Sequence, residues 1–172
     1  MSITRTKFKF DNQKLLEIYN SISLPENDDV DKNQIYITSF DGKTIMVDSQ
    51  FKEDYKKLPE NQLNILNEQF KGTYLEEILN EINKHYITSK WRFMTLTPER
   101  RAYSYHYDET KRLHIPLITN EDCFFLVDDE LCKMPEQGQL YELDTTKKHT
   151  ALNLSWKNRV HIVGIFYERI CR

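Results

Sequence analysis

The sequence has 172 residues, of which 39% are hydrophobic and 30% charged, with a net charge of −3. That length supports one substantial core but is short for two, and the balanced charge lacks the one-signed field that draws nucleic acid or anionic lipid. The longest apolar runs, such as Val160 to Phe166, fall far below the roughly 20 residues of a membrane helix, and the basic start leads into Asp11-Asn12-Gln13 instead of an apolar signal core. A single cytoplasmic domain with neither nucleic-acid nor membrane partner is expected. From Asp11 to Ile22, the residues Leu15, Leu16, Ile18, Tyr19 and Ile22 recur at helical spacing behind Asp11 as an N-cap. Ile35-Tyr36-Ile37 and Ile45-Met46-Val47 flank Asp41-Gly42, which reads as a hairpin. Leu63, Leu66 and Phe70 then predict a helix ending near Gly72, and Tyr74, Leu75, Ile78, Leu79 and Ile82 predict another from Thr73. Residues 1–90 are thus expected to be mostly helical with a small amount of sheet.

From about residue 91 the pattern changes to short β-rich runs at 92–97, 102–108, 112–119, 123–127, 130–134, 139–143, 149–155 and 159–167. Breaks at Pro98, Asn120-Glu121-Asp122, Gln137-Gly138 and Lys157-Asn158 fit turns. Eight short strands predict a mainly β fold, a double-stranded β-helix (jelly roll, cupin-like) over 91–172, braced by the N-terminal helices. Cys123, Cys132 and Cys171 form neither an even disulfide set nor a CxxC pair, so reduced thiols are expected. Cys123, beside Phe124 and Phe125, reads as a small buried hydrophobe.

Four of the five histidines lie between positions 106 and 161, inside the β-rich half. In His106-Tyr107-Asp108, a period of two points residues 106 and 108 to one face of a strand. His149, opening the seventh run, completes a two-histidine, one-carboxylate set that leaves positions for cosubstrate and O₂. Arg159 follows His149 by ten residues across a turn, which brings a guanidinium near the metal. Its planar fork suits the distal carboxylate of 2-oxoglutarate, in a chain with 16 lysines and 8 arginines. In Arg112-Leu113-His114-Ile115-Pro116-Leu117 the polar residues also alternate with apolar ones. Four such strands point to one polar cavity, with Ser104 and Asn153 on the ligand face as substrate contacts or supports of the ligands. His85 and His161 read as structural. Trp91, Arg92, Tyr103, Tyr105 and Trp156 are possible substrate contacts whose ordinary role is core or edge packing.

The order H-x-D, then R-x-H-I-P-L over Arg112 to Leu117, the Gly138 turn, His149, Asn153, Ser155 and Arg159 resembles the aspartyl/asparaginyl β-hydroxylase family, from about Phe93 to Tyr167. With Asp108 present, the chain is more similar to the bacterial free-amino-acid hydroxylases of that group, of the proline cis-4-hydroxylase type, than to members lacking the acidic ligand. The resemblance implies an Fe(II)- and 2-oxoglutarate-dependent dioxygenase that hydroxylates an unactivated C–H bond of an amino acid or an aspartyl/asparaginyl-type side chain. It also implies that Arg112 and His114, together with Arg159, contact 2-oxoglutarate. Two other readings use the same residues. One is a cupin-type metal enzyme without 2-oxoglutarate, in which His114 or His161 joins the metal; the other is a non-catalytic jelly-roll binding module.

Overall fold

The computed structural model describes residues 2–24, 31–47 and 52–170; Cys171 lies outside the described residues. In chain order the elements are β1 (Ile3–Lys9), α1 (Asn12–Asn20), β2 (Gln34–Tyr36), β3 (Thr38–Ser39), α2 (Lys52–Lys57), β4 (Ile65–Leu66), α3 (Tyr74–Asn83), β5 (Tyr86–Leu96), β6 (Lys111–Ile118), β7 (Cys123–Val127), β8 (Glu130–Cys132), β9 (Gln139–Leu143), β10 (His149–Asn153) and β11 (Arg159–Arg169). Six strands form one antiparallel sheet in the order β1-β9-β6-β11-β5-β2, and three form a second in the order β10-β7-β8. The chain at 102–106 lies against the free side of β10 through isolated bridges Ala102–Leu152 and His106–His149. Tyr141 and Leu143 from the large sheet share an apolar cluster with Phe125, Val127 and Ala151 from the small one. The result is the expected mainly β jelly roll.

Period-two alternation divides the large sheet between two environments. Leu113, Ile115 and Leu117 of β6 and Val160, Ile162 and Phe166 of β11 join a cluster with Leu15 of α1 and Leu75, Ile78, Leu79 and Ile82 of α3. The intervening residues Arg112, His114, Arg159 and Val163 line a cavity. Helices therefore cover one face of the sheet while the other is turned toward chemistry. The Asp11 carboxylate caps α1 by accepting from the backbone N–H of Gln13 at 3.0 Å and Lys14 at 3.2 Å.

Four expectations need correction. The hairpin between Ile35–Ile37 and Ile45–Val47 is replaced by pairing of β2 with β5 and β3 with β4, leaving the Tyr36 N–H bond to the Ile45 carbonyl at 2.7 Å. The long β5 presents an edge that β2 satisfies, and the Asp41 carboxylate turns the chain by accepting from Lys43 N–H and Thr44 N–H, both at 2.9 Å. The helix expected over Leu63–Phe70 is instead two 3₁₀ turns flanking β4. There the fully buried Asn67 amide donates to the carbonyls of Tyr36 and Thr44, a side-chain alternative that competes with helix formation. The run 102–108 makes isolated bridges, not a strand, because Asp108 N–H leaves that line to reach the Thr145 carbonyl at 2.8 Å. Finally, residues before 90 contribute β1 and β2 to the large sheet, so the first part of the chain is less helical than its periodicity suggests.

Candidate active site

A cavity of about 270 Å³ opens between the two sheets. At one wall His106, Asp108 and His149 bring one potential ligand atom each to within 4.8 Å of one another, the one such group among the described residues. The bridge that fixes this meeting is reciprocal, with His106 N–H donating to the His149 carbonyl at 3.1 Å and His149 N–H to the His106 carbonyl at 2.7 Å. Each imidazole is further oriented by the carbonyl two residues before it: Ser104 O lies 2.7 Å from Nδ1 of His106, and Lys147 O lies 3.0 Å from Nδ1 of His149. A carbonyl only accepts, so each Nδ1 carries the proton and each Nε2 keeps its lone pair. Both Nε2 atoms lie 3.8 Å from an Asp108 carboxylate oxygen. Burial, the largest influence on His149, moves its pKa below the usual histidine range and favours the neutral form that a metal requires.

The two arginines of the large sheet differ in their surroundings. On β6, Arg112 Nη2 lies 3.1 Å from Asp108 and 4.0 Å from Glu60, and its Nη1 donates to the Thr110 hydroxyl. On β11, Arg159 is 2% exposed and has no carboxylate partner among the described residues. Its guanidinium sits 4.6 Å from the Phe125 ring centroid and 3.3 Å from His161 Nδ1. Burial lowers its pKa to about 10, which still leaves it charged at neutral pH. His114 lines the same cavity with an unpartnered buried Nδ1.

Of the two residues foreseen as substrate contacts or supports of the ligands, Ser104 lies beside a ligand through its backbone carbonyl and Asn153 does neither. Ser104 is exposed and contributes its carbonyl to His106. Asn153 is fully buried, donates to the carbonyls of Leu96 and Lys157, and accepts from Ser155. Those bonds lock the turn between β10 and β11 and leave it outside the cavity lining. Trp91 lies in the core, and Trp156 is exposed beneath Arg101. Only Arg92 and Tyr103 of the five possible substrate contacts line the cavity, where Gln34, Glu60 and Lys90 accompany them. Gln34 and Glu60 stand far from the motif-bearing half and lack a local pattern that would have marked them.

The family model for aspartyl/asparaginyl beta-hydroxylase matches residues 68–168, more than half of the chain. The chain belongs to the aspartyl/asparaginyl β-hydroxylase family. It is a 2-oxoglutarate-dependent hydroxylase, with Fe(II) and 2-oxoglutarate as the cofactors of that enzyme class. Among solved structures, the hydroxylase is similar to the viral collagen prolyl hydroxylase of Paramecium Bursaria Chlorella virus-1, determined as a 2-oxoglutarate complex. The TM-score is 0.53 at 12% identity, over 100% of this chain and 97% of that one. It is similar also to AviO1 from Streptomyces viridochromogenes Tue57, with a TM-score of 0.54 at 13% identity over 97% and 90% of the two chains. These likenesses show the fold. No curated protein matches the hydroxylase. Its cavity suits the cofactors chemically, since two imidazoles and a carboxylate suit a divalent first-row metal and a buried, acid-free guanidinium suits a carboxylate. No helix among the described residues is long and apolar enough to cross a membrane.

Proposed function

We propose that the hydroxylase holds Fe(II) through Nε2 of His106, the Asp108 carboxylate and Nε2 of His149, holds the distal carboxylate of 2-oxoglutarate on Arg159, and hydroxylates an amino acid or an aspartyl/asparaginyl-type side chain. The chemistry supplied by iron and cosubstrate is oxidative decarboxylation of 2-oxoglutarate to succinate and CO₂, with one atom of O₂ entering an unactivated C–H bond of the substrate. The observation that carries this reading is Arg159: a buried guanidinium without an acidic partner, in the same cavity as the three ligand atoms. An unpaired buried charge is expensive, and a dianionic cosubstrate offsets that cost.

The remaining residues have distinct tasks. Arg112, already paired with Asp108 and Glu60, steadies the Asp108 carboxylate in place. His114 offers its free Nδ1 to the cavity. Ser104 and Lys147 carbonyls fix the ligand tautomers, the supporting role that backbone acceptors play around metal-bound histidines. Phe125 and Leu143 give the cavity apolar wall between the sheets and limit water around the oxidising centre.

The test is 2-oxoglutarate consumption with Fe(II), followed as succinate formed. Arg159→Met should raise the KM for 2-oxoglutarate about 10- to 100-fold, the scale of one or two charge-assisted hydrogen bonds. An unchanged KM, or a wild-type protein that forms no succinate, contradicts the reading.

A further inference from the structure

Arg92 is a second buried arginine in the same cavity. It is 8% exposed, no carboxylate lies within 4.0 Å of it among the described residues, and its Nε has no hydrogen-bond partner. Nη1 donates to the Gln34 side-chain oxygen at 2.8 Å, and the guanidinium lies over the Tyr36 ring at 5.8 Å from its centroid. A guanidinium has five N–H donors in a planar fork, so most of its donating capacity is uncommitted. The nearby Glu60 does not supply the missing acid, because it is 2.6 Å from Lys90 and 4.0 Å from Arg112.

The backbone is deformed where Arg92 enters the cavity. Ser89 pairs with Ile165 and Arg92 with Val163, so three steps along β5 oppose two along β11. That is a β-bulge, and Lys90 inside it has φ of +50°. A non-glycine residue in that conformation is strained and persists only where its surroundings impose it. The extra residue resets the alternation of β5. Arg92 and Met94 line the cavity, whereas Trp91 and Phe93 join the core against the helices.

We infer that Arg92, oriented by Gln34, binds a carboxylate of the primary substrate, and that this substrate is a free carboxylic acid of amino-acid size. The inference rests on the proposed seating of 2-oxoglutarate, whose two carboxylates are used at the metal and at Arg159, leaving Arg92 for another anion. Size follows from volume. The cavity of about 270 Å³ lies at the small end of ligand pockets, which run from about 300 to 1,000 Å³. That scale suits 2-oxoglutarate together with one further molecule of amino-acid size.

The experiment uses the full chain, loaded anaerobically with Fe(II) and saturating 2-oxoglutarate so that Arg159 is engaged. Standard L-amino acids and their carboxamides are titrated by calorimetry. At least one acid should bind, with its amide at least about tenfold weaker, and Arg92→Gln should erase that difference while the Fe(II)/2-oxoglutarate absorbance is retained. Arg92→Lys, which keeps charge without the fork, should restore part of it. Equal binding of acid and amide in the wild type needs no variant and overturns the inference, as does a preference that survives Arg92→Gln, or no acid binding at all. If the wild-type chelate absorbance never forms, the cosubstrate reading fails and this inference falls with it.

Discussion

His114 and His161 are buried histidines with ring nitrogens lacking partners, Nδ1 in the first and Nε2 in the second. Arg159 can only donate, so His161 Nδ1 accepts from it and Nε2 carries the proton. Burial, and then the charge of Arg159, hold both pKa values well below the usual histidine range. Both rings are therefore neutral in the fold. The unfolded chain takes up protons at these sites as pH falls through about 6.5, whereas the folded chain does not. Stability rises with pH up to that value and falls below it, by as much as about 1.4 kcal/mol per pH unit for each histidine. Urea unfolding between pH 7 and 5 should show that loss, and His161→Gln should reduce its slope by about one proton. An unaltered slope in the variant contradicts a neutral His161. Residue types at motif spacing were legible in the sequence as candidates, namely His106, Asp108, His149 and Arg159. What each touches was not: Asn153 shares their strand face by count, yet its amide is consumed by the turn it closes.

At the scale of elements, β5 and β11, the two longest strands at 11 residues each, pair along the large sheet, and their fit depends on Gly164. A Cβ there would stand 2.4, 2.5 and 2.7 Å from atoms of the Trp91 indole, and Trp91 is 1% exposed with its Nε1 donating to Thr88. That hydrogen bond holds the ring against the strand and resists its withdrawal. Gly164→Ala should destabilise by about 1–3 kcal/mol, as overpacking of a filled core does, read as a lower denaturation midpoint. A midpoint equal to wild type would mean that the two strands part easily at this contact. The strongly periodic elements, α1, α3 and the runs from 112 onward, were legible because their own residues decide burial. β1 was not, because its polar alternation of Thr4, Arg5, Thr6 and Lys7 carries little apolar signal for a strand that pairs with β9 far along the chain. The bulge in β5 was equally hidden, since nothing local reveals which partner residue each position will face.

For the whole molecule, helices α1 and α3 and the apolar face of the large sheet form one core, and the polar face of that sheet meets the small sheet around the cavity. The matched family region, 68–168, contains the proposed metal and cosubstrate residues. Gln34 and Glu60, which also line the cavity, come from outside it. The jelly roll and the chemistry of its fixed half were legible because ligand spacing is local and the strands repeat. The proposed substrate contact was not, because Arg92 and Gln34 are brought together by the bulge of β5 and its pairing with β2. The central claim is that His106, Asp108, His149 and Arg159 together seat Fe(II) and 2-oxoglutarate. Anaerobic titration with both, monitored for the visible charge-transfer absorbance of the chelate, tests it most directly. The wild type should develop the band and His149→Ala should not, with both proteins folded; a wild type without the band, or a variant that keeps it, would contradict the account.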